Sequence, residues 1–473
     1  MQKLAPDFRK ALDVAFDRAI SHLEHLDESS VAATADAATL RTHINKPLAQ
    51  EGVPPQQVIE ELVRDIEGGL LGSAGGRFFG WVIGGALPAA VAADWLTSAW
   101  QQNAALYACA PAAAVVEETV GTWLKDILGL PLQASFALVT GCQMAHVTCL
   151  AAARHALLIK HGWDVEGQGL YGAPTIRILS SSERHGSFER AVRLLGFGQA
   201  HIKLLSVDDH CRLLPNALEE ELRKQEGGPT LVLLQAGDIN IGAYDSFETL
   251  IPIAKRYGAW VHVDGAFGLW AAASPRLRHL VRGVEAADSW ATDGHKWLNV
   301  PFDSGFAFVA DPEAHRASLS LRAAYLTHAA DARDQMDWNP EWSRRARGFP
   351  AYAAMRQLGR AGIADLIERC CRHAYAIVTG IGELPGAEVL WKPEINQGLV
   401  RFLDQRAGAT EEDHDRRTDE VIAAILKTGE VFFGGTTWRG RRAMRVSVCN
   451  WQTSEQDVDR VVKAVASVLI RVS

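Results

Sequence analysis

The stretches WVHVDGAFG at 260–268 and ADSWATDGHKW at 287–297 decide the fold of this chain. The apolar run Trp260–Val263 predicts a buried strand that ends at Asp264, and Lys296 comes after a second short strand. Open parallel sheets bind their ligands at the carboxyl ends of the strands. Asp264 and Lys296 therefore mark the place where we expect the chemistry.

A strand-end aspartate followed by a lysine in this order predicts a site for pyridoxal phosphate. The amine of Lys296 would form a Schiff base with the cofactor aldehyde. The carboxylate of Asp264 would pair with the pyridine nitrogen and keep it protonated, so that the ring acts as an electron sink. The alternative is a buried Asp264 that caps a helix and a surface Lys296, but their joint occurrence at strand ends favours the cofactor.

The composition excludes several classes of protein. The chain has 473 residues, of which 48% are hydrophobic and 22% charged, which is typical of globular proteins and not of disordered, fibrous or multi-span membrane chains. Lysine and arginine number 48 and aspartate and glutamate 56, so the formal net charge is −8. An acidic chain is a poor candidate for binding nucleic acid.

Strands and helices alternate in the middle of the chain. Buried strands are predicted at Phe136–Thr140, Ile176–Ser180, Thr230–Gln235, Trp260–Val263 and Phe306–Val309. Helical patterns lie between them, as at Met144–His161 and Phe188–Leu195. This alternation predicts an α/β fold with a mostly parallel central sheet.

The flanking regions differ from this central pattern. Residues 1–75 are predicted to form an N-terminal helical segment, residues 76–345 the large cofactor-binding domain, and residues 346–473 a smaller C-terminal α+β domain. In the last part, a long helix is predicted through about Thr379. After it, two predicted strands, Leu399–Leu403 and Ala443–Val448, flank a predicted helix at Glu411–Thr428.

Several motifs resemble the group II pyridoxal phosphate-dependent amino-acid decarboxylases, the family of aromatic-L-amino-acid and glutamate decarboxylases. The similarity runs from about residue 76 to the C-terminus. It rests on the two stretches quoted above and on RFFGWVIGG at 77–85, APAAAVVEETVGTWLKDILGLP at 110–131 and LVTGCQMAHVTCLAAARH at 138–155. The motifs look closest to a bacterial, decarboxylase-like branch. The resemblance implies the aspartate aminotransferase type of fold, which is fold type I of pyridoxal phosphate enzymes.

The resemblance also implies roles for individual residues. Catalytic roles fall on Lys296, on Asp264 and on His185, which matches a histidine that stacks on the cofactor ring and assists proton transfer. Taken alone, His185 is an ordinary loop histidine. The implied cofactor-binding residues are Gly141, Cys142, Gln143, His185, Asn240, Asp264, Ala266, His295, Lys296 and Ser304. Among these, Ser304 would reach the phosphate held by the partner subunit.

The substrate pocket is less clearly marked. Trp81, Val82 and Trp338 match or adjoin pocket positions, and the two tryptophans favour an aromatic or other apolar substrate side chain. They fit packing or a dimer contact equally well. The guanidinium of Arg445 suits a substrate carboxylate, and a structural ion pair equally. We expect no metal ion.

The sequence departs from the family pattern at two places. The cofactor loop, usually GGSEAN or GGTEAN, reads GCQMAH here, with Gln143 in place of a hydroxyl residue and His146 in place of asparagine. The mobile loop at 326–343 lacks the tyrosine that protonates the carbanion in decarboxylases of the family. Trp338 stands near that position, and an indole N–H is a donor but no useful acid.

These motifs predict decarboxylation of an amino acid to an amine and carbon dioxide by a carboxy-lyase that uses pyridoxal phosphate. The alternative is another reaction with this cofactor, namely aldol-type cleavage, transamination or oxidative deamination, because the loop tyrosine is missing. A protein that binds the cofactor without turnover is a third possibility, against which Lys296 and Asp264 argue. We also expect a homodimer with active sites at the interface, no membrane segment and no signal peptide, and a cytoplasmic location with reduced cysteines.

Overall fold

The computed structural model describes residues 8–224, 227–321 and 332–471. The chain divides into two compact units. The terminal unit contains Met1–Ile83, His373–Lys392 and Gly398–Ser473, and the central unit contains Gly84–Arg372 and Pro393–Gln397. The three-domain division at residues 75 and 345 remains a prediction.

The helices and strands follow in chain order. The described helices are α1 Phe8–Glu24, α2 Ala37–Ile44, α3 Pro55–Asp65, α4 Pro88–Trp100, α5 Pro111–Ile127, α6 Cys142–Ile159, α7 Val165–Gln168, α8 Gly186–Leu194, α9 Pro215–Arg223, α10 Phe247–Arg256, α11 Pro312–Leu319, α12 Gly348–Gly382, α13 Glu411–Lys427 and α14 Glu455–Arg471. The described strands are β1 Ser135–Val139, β2 Arg177–Ser181, β3 Ile202–Leu205, β4 Thr230–Gln235, β5 Trp260–Asp264, β6 Ser289–Asp293, β7 Gly305–Val309, β8 Ala387–Trp391, β9 Gln397–Phe402, β10 Gly434–Trp438 and β11 Arg441–Ser447.

The central unit is built on a seven-stranded sheet with the strand order β1-β7-β6-β5-β4-β2-β3. All neighbouring strands are parallel except β7, which runs antiparallel to both β1 and β6. Strands β4 and β5 are buried along their whole length, as expected where both faces of a parallel sheet are covered. The predicted mostly parallel sheet is confirmed. The sequence pattern does not reveal β3, because Lys203 and Leu204 are exposed there.

Helix α6 packs against the middle of this sheet. It begins directly after Gly141, and its buried side chains are mainly small, including Ala145, Cys149 and Ala152. Small side chains allow a helix to approach a sheet closely. This packing holds the first turn of α6 next to the ends of β5 and β6, where the predicted site residues lie.

The terminal unit contains an antiparallel sheet with the order β10-β11-β9-β8. The glycine-rich segment that follows α3 is a loop, and side chains satisfy part of its backbone. The Asn450 amide donates to the carbonyls of Ala74 and Gly75 at 2.9 Å, and the Thr453 hydroxyl donates to the carbonyl of Gly76 at 2.8 Å. Among the described residues, no helix has the length and apolar character needed to cross a bilayer.

A buried ion pair in the central unit generates the first prediction. Glu117 on α5 accepts from the Arg344 guanidinium at 2.8 Å, and both side chains are buried. Replacing Glu117 by glutamine leaves the charge of Arg344 without its counter-ion, so we expect Glu117→Gln to lower the free energy of unfolding by about 3 kcal/mol. Urea denaturation measures this change. Glu118→Gln, at the neighbouring and more exposed position, should change it by less than about 0.5 kcal/mol, and equal effects would contradict the prediction.

Candidate active site

Asp264 lies at the end of β5, against the first turn of α6. Side chains alternate along a strand, so His262 and Asp264 point to the same face of the sheet. Cys142 and His146 lie four residues apart on α6 and share one face of that helix. His146 Nε2 lies 3.4 Å from Asp264 Oδ2, and Cys142 Sγ lies 3.8 Å from Asp264 Oδ1. The alternation of side chains along β5 and the four-residue spacing on α6 thus bring the Cys142 thiol and the His146 imidazole to the carboxylate of Asp264.

The surroundings of Asp264 favour its ionised form. Burial alone would raise the pKa of this carboxyl group, but His146, His185 and Lys296 outweigh it, so the pKa of Asp264 lies below its ordinary value. The backbone N–H of Ala266 also donates to Asp264 Oδ1 at 3.1 Å. The carboxylate is therefore charged and can pair with a protonated ring nitrogen.

Lys296 follows β6 and pairs with the last residue of that strand. Its Nζ atom lies 3.0 Å from Asp293 Oδ2. Burial lowers the pKa of Lys296, but the carboxylate of Asp293 more than offsets it, and the net shift is upward. Asp293 Oδ1 accepts the backbone N–H of Cys142 at 2.6 Å and lies 3.4 Å from His295 Nε2. Asp293 is not among the predicted site residues, although its position three residues before Lys296 indicates that the two side chains can meet.

Two glycines allow close backbone approach around the site. A Cβ atom on Gly305 would lie 2.3 Å from the Cα atom of Gly141, and a Cβ atom on Gly84 would lie 1.9 Å from the carbonyl oxygen of Lys296. Any side chain at either position would force the backbone apart. The start of β7 therefore fixes the turn before α6, and Gly84 fixes the backbone of the lysine.

Two buried donors near this turn lack a hydrogen-bond partner among the described residues. The Gln143 amide nitrogen and the Ser304 hydroxyl are buried and make no hydrogen bond with the described residues. Both residues were predicted to bind the cofactor, and both lie beside elements that Gly141 and Gly305 bring together. Buried polar groups in proteins are normally hydrogen-bonded. Donors at the start of a helix suit an anion such as a phosphate group.

The remaining predicted cofactor residues lie in loops of the same unit. His295 stacks on Phe302, with ring centroids 4.4 Å apart, and its Nδ1 atom accepts the backbone N–H of Ser304. His185 caps α8, where its Nδ1 atom accepts the backbone N–H of Ser187, so a neutral ring carries its proton on Nε2.

Asn240 lies in the loop that follows β4. Its backbone N–H donates to Asp238 Oδ1 at 2.9 Å, and the backbone N–H of Ile241 donates to the same oxygen at 2.7 Å. Burial raises the pKa of Asp238 to about 6. The aspartate thus organises the loop that presents Asn240 at the end of the sheet.

The substrate candidates fall in both units. Trp338 packs in the central unit beside His315, with ring centroids 5.3 Å apart, and its carbonyl accepts from His315 Nε2 at 3.0 Å. Trp338 therefore packs against His315 within the central unit. Trp81, Val82 and Arg445 belong to the terminal unit, where Trp81 is half exposed and the other two are buried. The substrate roles of all four remain predictions.

The predicted mobile loop at 326–343 is described only in part. Residues 326–331 lie outside the described residues, and a single helical turn, Gln335–Asp337, precedes Trp338.

The donor set of the central unit fits pyridoxal phosphate. Asp264 offers an ionised carboxylate for a protonated ring nitrogen, Lys296 offers a partly buried amine for the aldehyde, and Gln143 and Ser304 are buried donors of the kind that a phosphate group accepts. Once bound, this cofactor supplies an electron sink for the bond that breaks at the substrate Cα.

Comparisons with known proteins agree with this geometry. The family described as "Pyridoxal-dependent decarboxylase conserved domain" matches residues 38–404. The chain belongs to the pyridoxal-dependent decarboxylase family. It is 24% identical over 480 residues to the aromatic-L-amino-acid decarboxylase of Bacillus atrophaeus, covering 100% of this chain and 98% of that protein. Tryptophan decarboxylase 1 of Oryza sativa subsp. japonica is 28% identical, with 94% and 90% covered.

Solved structures give the same result. Oryza sativa TDC with PLP and tryptamine has a TM-score of 0.92 and 25% identity, and the similarity covers 100% of this chain and 99% of that one. The predicted family, the type I α/β fold, the cofactor pyridoxal phosphate and the class of PLP-dependent carboxy-lyases are confirmed. Family membership favours decarboxylation of an amino acid over the alternative reactions.

The second prediction tests the lysine. We expect Lys296→Ala to abolish both the visible absorption that reports the covalent lysine–cofactor bond and the release of carbon dioxide, because no other described amine lies against Asp293. Absorption spectra with added pyridoxal phosphate measure the first effect. Lys255→Ala is the matched control, since Lys255 forms an exposed ion pair with Asp288 in the same unit. Retention of the visible band by Lys296→Ala would overturn the assignment.

Proposed function

We propose that this enzyme decarboxylates an aromatic or other apolar amino acid. Its relatives from Bacillus atrophaeus and Oryza sativa are named for aromatic substrates. The observation that carries the proposal is Trp81, which is 53% exposed although it belongs to an aromatic cluster. An exposed indole offers a flat apolar face to a substrate ring.

The local structure around Trp81 supports this role. Its ring centroid lies 5.9 Å from that of Phe78 and 5.2 Å from that of Phe432, and the two phenylalanines stack at 4.5 Å. The backbone of Trp81 has φ of 50°, a left-handed conformation that is rare for a bulky residue. Such strain persists where the surroundings impose it, and it occurs often at functional sites. The cluster therefore holds the indole in an exposed, costly position.

The site residues take the following proposed roles. Lys296 holds the cofactor aldehyde, Asp264 pairs with the ring nitrogen, and Gln143 donates to the phosphate. Ser304 donates to the phosphate held by the partner subunit. Asn240, Ala266 and His295 are further cofactor contacts, as are the backbone groups of Gly141 and Cys142, with the Cys142 N–H already bonded to Asp293. Trp81, Val82, Trp338 and Arg445 are the proposed substrate contacts, with Arg445 on the substrate carboxylate.

The proton donor is proposed to be His185 rather than Trp338. The Trp338 indole has a donor N–H but no acidity near neutral pH, and its ring packs on His315. The exposed ring of His185 carries its proton on Nε2 when it is neutral, and an imidazole can both donate and accept a proton. It therefore offers an exchangeable proton without the family tyrosine.

We also propose a homodimer with active sites at the interface. Helix α4 exposes the large apolar side chains Trp95, Leu96 and Trp100, with exposed fractions of 41%, 46% and 48%. Apolar surface of this kind is typical of protein–protein interfaces.

A cytoplasmic location is proposed from the cysteines. None of the seven forms a disulfide bond, and Cys370 and Cys371 are adjacent in sequence. Cysteines without disulfide bonds are typical of reducing compartments. Recovery of the protein from a secreted fraction would contradict this proposal.

The third prediction concerns the substrate. With tryptophan, tyrosine, phenylalanine and L-DOPA, we expect release of carbon dioxide with formation of the matching amine, and little release with glutamate or diaminobutyrate. Trp81→Ala should lower kcat/KM for the aromatic substrate about tenfold or more, the scale of a lost apolar contact. Tyr171→Ala, at an aromatic residue that is 97% exposed, is the control and should leave kcat/KM unchanged. Preferential turnover of an acidic amino acid would refute the proposed substrate class.

The fourth prediction concerns the dimer. Sedimentation should give twice the 51.5 kDa mass of one chain. The double variant Trp95→Glu, Leu96→Glu should shift the protein toward the monomer, because two charges would be buried without partners. Leu132→Glu, at an exposed leucine outside α4, is the control and should remain dimeric. A dimer unaffected by the α4 changes would place the interface elsewhere.

A further inference from the structure

A continuous line of buried side chains leads from the sheet to the cofactor aspartate. Trp260 Nε1 lies 2.9 Å from Ser289 Oγ, Ser289 Oγ lies 2.9 Å from His262 Nδ1, and His262 Nε2 lies 2.9 Å from His146 Nδ1. His146 Nε2 then reaches Asp264 Oδ2 at 3.4 Å. All five side chains are buried. We refer to Trp260, Ser289, His262 and His146 as the relay.

The chemistry of its members gives the relay a direction. An indole N–H can only donate, so Ser289 Oγ accepts from Trp260 and has its own hydroxyl proton to donate to His262 Nδ1. Burial lowers the pKa of His262 to about 3, so this ring is neutral near pH 7, and with Ser289 donating to Nδ1 its proton lies on Nε2. His262 then donates to His146 Nδ1, which places the proton of His146 on Nε2, facing Asp264.

Phe188 closes the relay off from solvent. Its ring stacks on His262 with centroids 6.3 Å apart and meets His146 edge-on at 6.0 Å, and it is fully buried. The two imidazoles are themselves perpendicular, with centroids 5.2 Å apart. In such surroundings a hydrogen bond to a carboxylate is stronger than in water, and it is costly to lose.

We propose that His146 is a positioning residue, which acts through Asp264 by donating Nε2–H to Oδ2 and thereby holds the carboxylate ionised and oriented for the pyridine nitrogen. The inference rests on the proposed role of Asp264. Cys142 and Ala266 also contact this carboxylate, but through Oδ1, whereas His146 is the described side chain within hydrogen-bonding reach of Oδ2. With Ser289 donating to His262, the relay sets the proton of His146 on Nε2, and this distinguishes the proposal from simple packing.

The experiment compares two cofactors on the full-length protein. Pyridoxal phosphate has the ring nitrogen, and its 1-deaza analogue has carbon there and cannot use Asp264 as a partner. Both bind through Lys296 and the phosphate donors, so equilibrium binding, followed by fluorescence quenching, isolates the contribution of the nitrogen. We expect the unaltered protein to bind pyridoxal phosphate more tightly than the analogue.

His146→Leu should weaken binding of pyridoxal phosphate at least about tenfold, the scale of one hydrogen bond to a charged group, and should leave binding of the analogue unchanged. The matched control is His315→Leu, which removes a buried histidine that contacts Ser135 and Trp338 instead of Asp264. It should not alter the preference between the two cofactors. Ser289→Ala removes only the hydroxyl of the relay and should reduce the same preference by about threefold, a fraction of one neutral hydrogen bond.

The outcomes separate the inference from the function on which it rests. If His146→Leu weakens both cofactors equally, or neither, the positioning role is wrong while the cofactor site stands. If the unaltered protein binds both cofactors equally, the role of Asp264 itself is wrong. Should His146→Leu fail to fold, an unchanged preference in Ser289→Ala would overturn the relay.

Discussion

The buried negative charge of Asp264 is the constraint on which the rest of the site depends. A carboxylate in a protein interior is costly unless charges and hydrogen bonds compensate it. Here the compensation comes from α6, through His146 and Cys142, from the backbone of Ala266 and from Lys296. These groups belong to different elements, so the placement of α6 against β5 and β6 is a condition for the charge and not a separate feature of the fold.

The positive charge of Lys296 is compensated in the same way, by the carboxylate of Asp293. Asp293 contacts the amine of Lys296 and also accepts the first backbone N–H of α6, through Cys142. One side chain thereby holds the reactive amine and the start of the helix in a fixed relation. The close approach of Gly305 to Gly141 serves the same end, because it brings the strand that follows the lysine turn against the residue before α6.

The sequence predicts the parts of this arrangement that depend on local pattern. Strands such as Thr230–Gln235 show as apolar runs, and Asp264 and Lys296 show through their order at strand ends. Contacts between side chains on different helices and strands do not appear in the local sequence pattern. The contact of His146 with Asp264 arises only when a helix face meets a strand face, and the sequence offers His146 merely as a departure from a family motif. Trp338 shows the same limit, since its position in the sequence does not reveal its contact with His315.

Cys142 stands where the related motif has a glycine, and a thiol so close to Lys296 has a chemical consequence. A thiolate beside an aldehyde-binding lysine would compete as a nucleophile, because the thiolate is the reactive form of cysteine. Burial and the nearby carboxylates of Asp264 and Asp293 raise the pKa of the Cys142 thiol well above its ordinary value. The thiol therefore stays protonated and can act as a weak donor toward Asp264 at 3.8 Å. The carboxylates that keep Lys296 charged before it reacts thus also keep its sulfur neighbour inert, so the site tolerates a cysteine where the related motif has glycine.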